Sequence, residues 1–440
     1  MKRRRFLKIT AGSAAVALGP SVISAVTLGR DGRAPSQRVN VALIGAGGMG
    51  CAHLDRLLAD PRARVVALCD VDRQRLAHAA QRVAAAYGAE TADGVWRGVF
   101  TTTDFREALV RAEVDVVFLA LPDHWHALPL IAAARAGKHV YAEKPLALTI
   151  PEGLAMRRAI AETGVVCQIG SQQRSGKEFV RAVELVRNGF LGKLTRIQVG
   201  LPGGDLPARR ESPAPAPVPA ELDYDRWLGP APWAPYTPLR THYDFRWVLD
   251  YSGGQLTDWI GHHFDIAAWA AGVSHESPIA IKNATAEFAR HPIYNTAIQF
   301  AFEAHYADGT MIEVASTNRP GVRLGVSFAG SEGALFVTRG RLEPASLALR
   351  DVRVPATGFS AHDHTSHHEN FFDCVFSRAK PHCPIDEAHH VASVAHLANL
   401  AFRTGRRELR WDFRTQQIIG ADDAARLLAR QYRAPWKLSA

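Results

Sequence analysis

A chain of 440 residues, 47% of them apolar, is long enough for two domains with a large core. Its formal charge of +9 owes five units to Lys2, Arg3, Arg4, Arg5 and Lys8, and no basic stripe interleaved with aromatics follows, which argues against a nucleic-acid partner. Cys51, Cys69, Cys167, Cys374 and Cys383 form no C-x-x-C pair, so they read as small core residues and not as a disulfide frame or zinc site.

The chain opens MKRRRFLK, followed by ITAGSAAVALGPSVISA, which is too short and too rich in Gly, Ser and Ala to span a bilayer. Arg3 and Arg4, followed by Phe6, Leu7 and Lys8, make residues 1–33 read as a twin-arginine export signal and linker. Lys2 stands where Ser or Thr is usual, and the competing reading is a basic leader on a cytosolic protein. The signal implies the twin-arginine machinery as a partner and a periplasmic or otherwise exported location. Outside the inner membrane there is no pool of nucleotide cofactors, so an exported enzyme that uses one must hold it tightly and regenerate it within its own cycle.

From residue 34 to 150 short β-branched runs, VNVALI, ARVVALCD, VDVVFLALP and KHVYAE, alternate with helix-period segments. That alternation predicts a doubly wound parallel sheet of Rossmann type. Gly45, Gly47 and Gly50 stand in G-x-G-x-x-G spacing, with Gly48 and Met49 between, where the first strand gives way to a helix. Gly45 allows the tight turn, Gly47 lets a pyrophosphate approach the backbone, and Gly50 lets helix and strand pack closely. Asp70, which ends the second strand, would accept from ribose hydroxyls and repel a 2′-phosphate, so NAD is preferred to NADP. Asp104 and Thr149 read as helix N-caps, Thr149 in a capping box with Glu152. VVCQIGS adds a strand and GKEFVRAVELVRNG a helix.

After Lys193, LTRIQVGL, PIAIKNATAEF, NTAIQFAFEAHY, TMIEVAS, RLGVSFAG and GALFVTR are strand-like and joined by turn signals. Residues 151–440 are therefore expected to carry a second domain with a mostly antiparallel sheet. ARRESPAPAPVPAEL reads as a surface arm, and HHENFFDCVFSR, DEAHHVASVAHLANLAFRTG and DDAARLLARQYRAPW read as helices.

Glu143-Lys144-Pro145 follows the fourth strand, and the carboxyl ends of such strands are where ligands bind. A lysine there could polarise a substrate hydroxyl or carbonyl; otherwise it is an exposed turn residue. Asp258, His262 and Asp265 stand at spacings of four and three, so on one helix they could converge on a site as an imidazole with carboxylate neighbours. Read alternatively, Asp258 caps the helix and His262 is a core histidine. His362, His364, His367 and His368 could gather round a metal, but such clusters are more often exposed turns, and no metal is assigned.

GAGGMG, GKHVYAEKP and the D-x-x-x-H-x-x-D set at 258–265, together with DYDRWLGPAP, GGQLTDW and the tail GRRELRWDF, resemble the Gfo/Idh/MocA family of glucose-fructose oxidoreductase and inositol 2-dehydrogenase. The resemblance implies an NAD-dependent oxidoreductase acting on a CH–OH group of a sugar, cyclitol or glycoside. It also implies that the second domain is a C-terminal α/β domain with an open, mostly antiparallel sheet, its last helices packed back on the Rossmann domain, and a homodimer or homotetramer. In family terms Lys144 would stabilise the alkoxide, His262 would take the hydroxyl proton and Asp258 would orient His262, while Leu121, Pro122, His126, Glu143 and Lys144 itself would join the cofactor contacts. Gln172, Arg174, His242, Arg246, Trp259 and His263 are the candidate substrate residues. Leu121 departs from the usual Ser or Thr and Ile260 from the usual Gly, so altered nicotinamide contacts or a reshaped pocket are expected. Two alternatives stay open: a redox-neutral NAD-dependent glycosidase that oxidises, eliminates, hydrates and reduces, and a cofactor-bound sugar-binding protein without turnover.

Overall fold

Val39–Ile44 (β1) is buried along nearly its whole length, as a strand covered on both faces must be. In the computed structural model it sits inside a six-stranded parallel sheet of order β3-β2-β1-β4-β5-β6, where β2 is Ala63–Cys69, β3 Phe100–Thr102, β4 Val116–Leu119, β5 His139–Ala142 and β6 Cys167–Ile169. The structure describes residues 38–88, 98–204, 206–207, 211–361 and 366–438; the twin-arginine segment and His362 and His364 lie outside them. The parallel sheet continues past residue 150, because β6 pairs with β5 through Val140 and Cys167.

Helices cover both faces of this sheet. Gly48–Ala59 (α1) and Arg73–Tyr87 (α2) pack on one; Phe105–Leu109 (α3), Ala127–Arg135 (α4) and Ile150–Thr163 (α5) pack on the other. Asp104 caps α3 by accepting from Arg106 N, and Thr149 and Glu152 form both halves of a capping box on α5. The first face is completed by a helix far along the chain, His367–Ser377 (α9), whose Phe371, Phe372 and Val375 join Phe118 and Tyr141 in one cluster.

The glycine turn is tight for steric reasons. Gly45 has φ +96°, and a Cβ there would stand 2.2 Å from the Ala120 carbonyl oxygen; at Gly50 a Cβ would stand 1.9 Å from the Gly45 oxygen. Gly50→Ala is therefore expected to push α1 off β1 and to cost about 1–3 kcal/mol by overpacking, read as a lower Tm together with weakened nucleotide uptake. An unchanged Tm would refute this account.

The second sheet has nine strands in the order β13-β12-β11-β7-β10-β9-β8-β14-β15, where β11 is Gly325–Gly330, β12 Ala334–Thr338 and β13 Arg341–Pro344, with β7 (Leu194–Leu201) and β10 (Met311–Ser316) the parallel pair in an otherwise antiparallel arrangement. Ile279–Phe288 (β8), Ala297–Tyr306 (β9) and β10 alternate buried and half-exposed positions along much of their length, so one face is core and the other open. Lys177–Arg187 (α6), Gly254–Ile260 (α7), His263–Ala271 (α8) and Ile385–Arg403 (α10) cover the core face. Helix α10 serves both cores, with Ile385, Ala388 and Ala392 against the parallel sheet and Val394, Leu397 and Ala401 against the second.

The expected third C-terminal helix is corrected. Asp422–Ala425 alone is α-helical there, and Leu409–Asp412 (β14) and Gln417–Ile419 (β15) precede it as a hairpin. Beyond it the chain is spent on side-chain ties, to the first sheet's layer through Arg430 on Glu152 and the His124 carbonyl and Tyr432 on Glu152, and to the second domain through Arg433 on the Gly229 carbonyl. Those contacts replace the helical hydrogen bonds that the pattern DDAARLLARQYRAPW suggested. Four of the cysteines are buried, Cys51 is half-buried, and all five are free thiols. No helix among the described residues is long and apolar enough to cross a membrane.

Candidate active site

A cleft of about 690 Å³ starts at the glycine turn and ends at Lys144 and Asp258. Gly45, Gly47, Gly48 and Met49 line the first end with Asp70, and Leu121 and Pro122 line the wall between. These residues fit a dinucleotide. At Gly47 an added Cβ would meet the Arg75 guanidinium alone, so the turn leaves its backbone open to the cleft at the N-terminus of α1. Asp70 accepts from Ala46 N at 2.6 Å and Asp72 N at 2.8 Å, yet burial still pushes its carboxyl above the usual range. A carboxylate so placed gains from further donors of the kind a ribose supplies.

At the other end, Lys144 leaves β5 on a short turn and donates from Nζ to Asp258 Oδ1 at 2.8 Å and to the Asp258 carbonyl at 3.1 Å. Arg246 Nε stands 3.4 Å from the same Oδ1. Burial alone would raise the Asp258 carboxyl, but Lys144 and then Arg246 outweigh it and hold the group far below the ordinary carboxylate range. Gly261 follows α7, and a Cβ there would come within 3.4 Å of Lys144 Cβ, so the chain passes closely over the lysine.

His262 sits in the break between α7 and α8. Its Nδ1 is buried without a hydrogen-bond partner, and its ring meets Trp259 edge-on at 5.3 Å. Burial first, then the charges of Lys144 and Arg339, drive its pKa well below that of free histidine, so the ring is neutral near pH 7. Asp258 makes no hydrogen bond to it, which corrects the expected Asp258–His262 orientation: the carboxylate is engaged by Lys144 and Arg246. With its side-chain amide turned to suit its neighbours, Gln173 donates to the His262 carbonyl at 3.0 Å and accepts from Arg339 at 2.9 Å. Arg339 also lies over the Trp259 ring, 4.7 Å from its centre.

Several predicted site residues stand elsewhere. Because the helix breaks at Gly261 and His262, Asp265 turns away from Asp258 and pairs with Arg174 through both carboxylate oxygens at 2.7 Å. Arg174, 2% exposed, also reaches Glu387 and the His382 carbonyl, so it is a buried clamp between α8 and α10 and not a cleft residue. Arg174→Ala leaves the buried Asp265 carboxylate without its cation, while the half-buried Glu387 keeps Lys380, and is expected to cost about 3–5 kcal/mol, whereas Arg174→Lys restores part of it. Chemical denaturation checks this, and an undiminished midpoint in Arg174→Ala would overturn the clamp.

His263 is fully buried with Nδ1 on the Gly200 carbonyl. His126 bridges the Pro145 and Leu121 carbonyls at 2.7 and 2.8 Å, tying the Lys144 turn to the cleft wall from behind. Gln172 donates to Glu143 and accepts from Arg56. Trp259 packs with His262 beyond the wall, and Ile260 points into the second core, so it does not reshape the pocket. His242, with φ +58°, lines the cleft but lies 3.7 Å from Asp72, at the nucleotide end. Arg246 alone of the six substrate candidates faces Lys144 and Asp258 from the cleft. His367 and His368 lie on α9, with Ser175 and His53 among their respective partners.

Sequence reasoning missed Arg75, which lines the nucleotide end, and Trp436, which lines the cleft while packing on Trp125 and Phe105. It also missed His53, three residues beyond Gly50, which donates from Nε2 to Glu143 Oε1 at 3.0 Å. A histidine on the buried face of the first Rossmann helix was the available signal.

Residues 39–171 match an oxidoreductase family described by its NAD-binding Rossmann fold, and residues 180–438 match the same family's C-terminal alpha/beta domain. The chain is 38% identical over 136 residues to 4-carboxy-2-hydroxymuconate-6-semialdehyde dehydrogenase of Sphingobium sp. (strain NBRC 103272 / SYK-6), covering 31% of this chain and 39% of that protein. It is 30% identical over 207 residues to glycosyl hydrolase family 109 protein 1 of Shewanella sp. (strain ANA-3), covering 44% of each. Levoglucosan dehydrogenase of Pseudarthrobacter phenanthrenivorans is 33% identical over 162 residues, covering 36% of this chain and 39% of that one. The chain thus spans less than half the length of these curated relatives. A solved levoglucosan dehydrogenase in complex with NADH and L-sorbose shares the fold at a TM-score of 0.60 and 20% identity, covering 85% of this chain and 99% of the other.

Proposed function

This chain belongs to the Gfo/Idh/MocA oxidoreductase family, and on that premise we propose that it is an exported, NAD-dependent oxidoreductase that acts on a CH–OH group of a sugar, cyclitol or glycoside and retains its cofactor through the cycle. The observation that carries the reading is the Lys144 ammonium held 2.8 Å from Asp258 at the opposite end of the cleft from the glycine turn. Gly45, Gly47, Gly48 and Met49 would hold the pyrophosphate and Asp70 the ribose of NAD, which supplies a hydride acceptor when bound. Asp70 supports NAD over NADP.

The chain's own residues do the remaining work. Lys144 polarises the substrate oxygen and stabilises the alkoxide, and Asp258, kept ionised, fixes the lysine in place. We assign the proton to His262, which is neutral and carries an unpartnered Nδ1 but stands behind the cleft lining at Lys144 and Asp258. Arg246 and the exposed Tyr243 offer a charged donor and an aromatic face suited to a polyhydroxylated ring. The levoglucosan dehydrogenase relative supports a sugar substrate. Arg3 and Arg4 support export, and a compartment without free NAD favours a retained cofactor. The open face of the second sheet is the surface we assign to a homodimer or homotetramer.

The glycosyl hydrolase family 109 relative favours a second reading, a redox-neutral glycosidase. Extraction of nucleotide from purified protein, followed by absorbance of reduced nicotinamide while sugars, cyclitols and aryl glycosides are added, separates the two. Lasting reduction by a free sugar or cyclitol supports the dehydrogenase; aglycone release without net reduction supports the glycosidase. Inert bound nucleotide across the panel would refute both and leave a binding protein.

A further inference from the structure

Glu143 lines the cleft next to Lys144, and its carboxylate is the inner end of a buried chain that the proposed chemistry does not use. His53, 0% exposed on α1, places Nε2 3.0 Å from Glu143 Oε1 and Nδ1 2.8 Å from His368 Nε2 on α9. His368 Nδ1 lies 3.4 Å from a guanidinium nitrogen of Arg56, an exposed residue. The two ends fix the hydrogens between them. A guanidinium only donates, so His368 Nδ1 accepts and His368 carries its hydrogen on Nε2; His53 Nδ1 accepts that hydrogen, and the His53 hydrogen sits on Nε2 facing a carboxylate that only accepts.

Every hydrogen in the chain therefore points from Arg56 toward Glu143. Burial first, then His53 and Arg56, pushes the His368 pKa down to about 2, so that ring rests neutral. Burial would raise Glu143, but the His53 hydrogen bond and then the Lys144 charge outweigh it and keep the carboxyl below its usual range. The Phe118 and Tyr141 rings pack against both imidazoles, and Gly170 leaves the carboxylate its space, since a Cβ there would stand 2.6 Å from Oε1. The charged and titratable groups facing the chain are Arg56, Glu143, Lys144, Tyr141 and His367.

We propose that His368 and His53 form a proton relay between solvent beside Arg56 and Glu143 on the cleft wall, set at rest to deliver a proton inward. In one concerted hop Arg56 gives up its hydrogen bond to His368 Nδ1, a hydronium O–H breaks as His368 Nδ1–H forms, the His368 Nε2–H bond breaks as His53 Nδ1–H forms, and His53 Nε2–H breaks as an O–H forms on Glu143. One proton moves, no electron does, and no imidazolium is stored. Its use rests on the oxidoreductase reading: a carbonyl reduced in a cleft filled by cofactor and sugar needs a proton to become a hydroxyl, and Glu143 can be recharged from outside. His53 and His368 touch no substrate in this scheme.

The relay itself is tested without substrate, by nitrogen NMR of the resting protein labelled at histidine. Both rings are expected as Nε2–H tautomers at neutral pH, and the fully buried His53 Nε2–H is expected to exchange quickly with solvent. His368→Gln keeps an amide donor to His53 and an acceptor for Arg56 but cannot pass a proton, so the fast exchange should be lost at an unchanged Tm. Nδ1–H tautomers, slow exchange in the parent, or fast exchange surviving in His368→Gln would each overturn the relay. If the exchange behaves as expected and no sugar reduces the cofactor, it is the oxidoreductase reading that fails and not the relay. Should His368→Gln fold poorly, His53→Gln, with exchange read at His368, gives the same decision.

Discussion

Lys144→Ala is expected to lose turnover by about three orders of magnitude or more while still taking up nucleotide. The ammonium is the group that the cleft directs at the reacting oxygen, and it lies at the opposite end from the glycine turn, so cofactor contacts survive. The variant should also lose about 1–3 kcal/mol of stability, because Asp258 loses its nearest cation and keeps Arg246 at 3.4 Å. Rates under saturating sugar, paired with a nucleotide-binding titration, check this. Near-parental turnover would remove Lys144 from the chemistry, and loss of nucleotide binding would show that its role is structural. Lys144→Arg is a useful companion, since a guanidinium can keep the ion pair yet delivers its hydrogens in a different geometry.

Acid should destabilise this fold earlier than its carboxylates alone would dictate. His124, His389 and His390 are held near pKa 3 and His263 near 4, in each case by burial first. In the unfolded chain a histidine titrates near ~6.5, so above that pH both states are neutral and the stability is complete. As pH falls, the unfolded chain binds protons that the native state refuses, at a cost of about 1.4 kcal/mol per histidine for each pH unit, until the folded values are reached. Near pH ~5 four such groups take several kcal/mol from a total that is typically about 5–15. A Tm profile should be flat above neutrality and drop steeply from about pH 6.5 to about pH 4. A flat profile down to pH ~5 would show that these rings protonate in place.

Much of the scaffold was legible because its signals are local. VNVALI and LTRIQVGL are strands over the same residues that the β-branched pattern marked, and Thr149 with Glu152 caps a helix as its spacing predicts. The site was legible less evenly. Lys144 and Asp258 meet across 114 positions, but spacing could not show that the helix breaks between Asp258 and Asp265, which sends the second carboxylate into the core. Arg174 looked like a ligand-binding arginine because a sequence does not reveal two carboxylates waiting at Asp265 and Glu387. The tail read as a helix because DDAARLLARQY has the composition of one, while the residues that unwind it, Glu152 and Asp225, lie far back in the chain.

The helix at His367–Ser377 that completes one face of the parallel sheet has a consequence for biogenesis. A ribosome that has made the six strands of the first domain must add about two hundred more residues before Phe371 and Phe372 exist to cover Phe118 and Tyr141. Until then the nucleotide-binding half exposes an aromatic face and cannot finish folding, so it is expected to depend on a chaperone. A fragment cut at the end of the parallel sheet should aggregate, and co-expression with the remainder is the way to recover it.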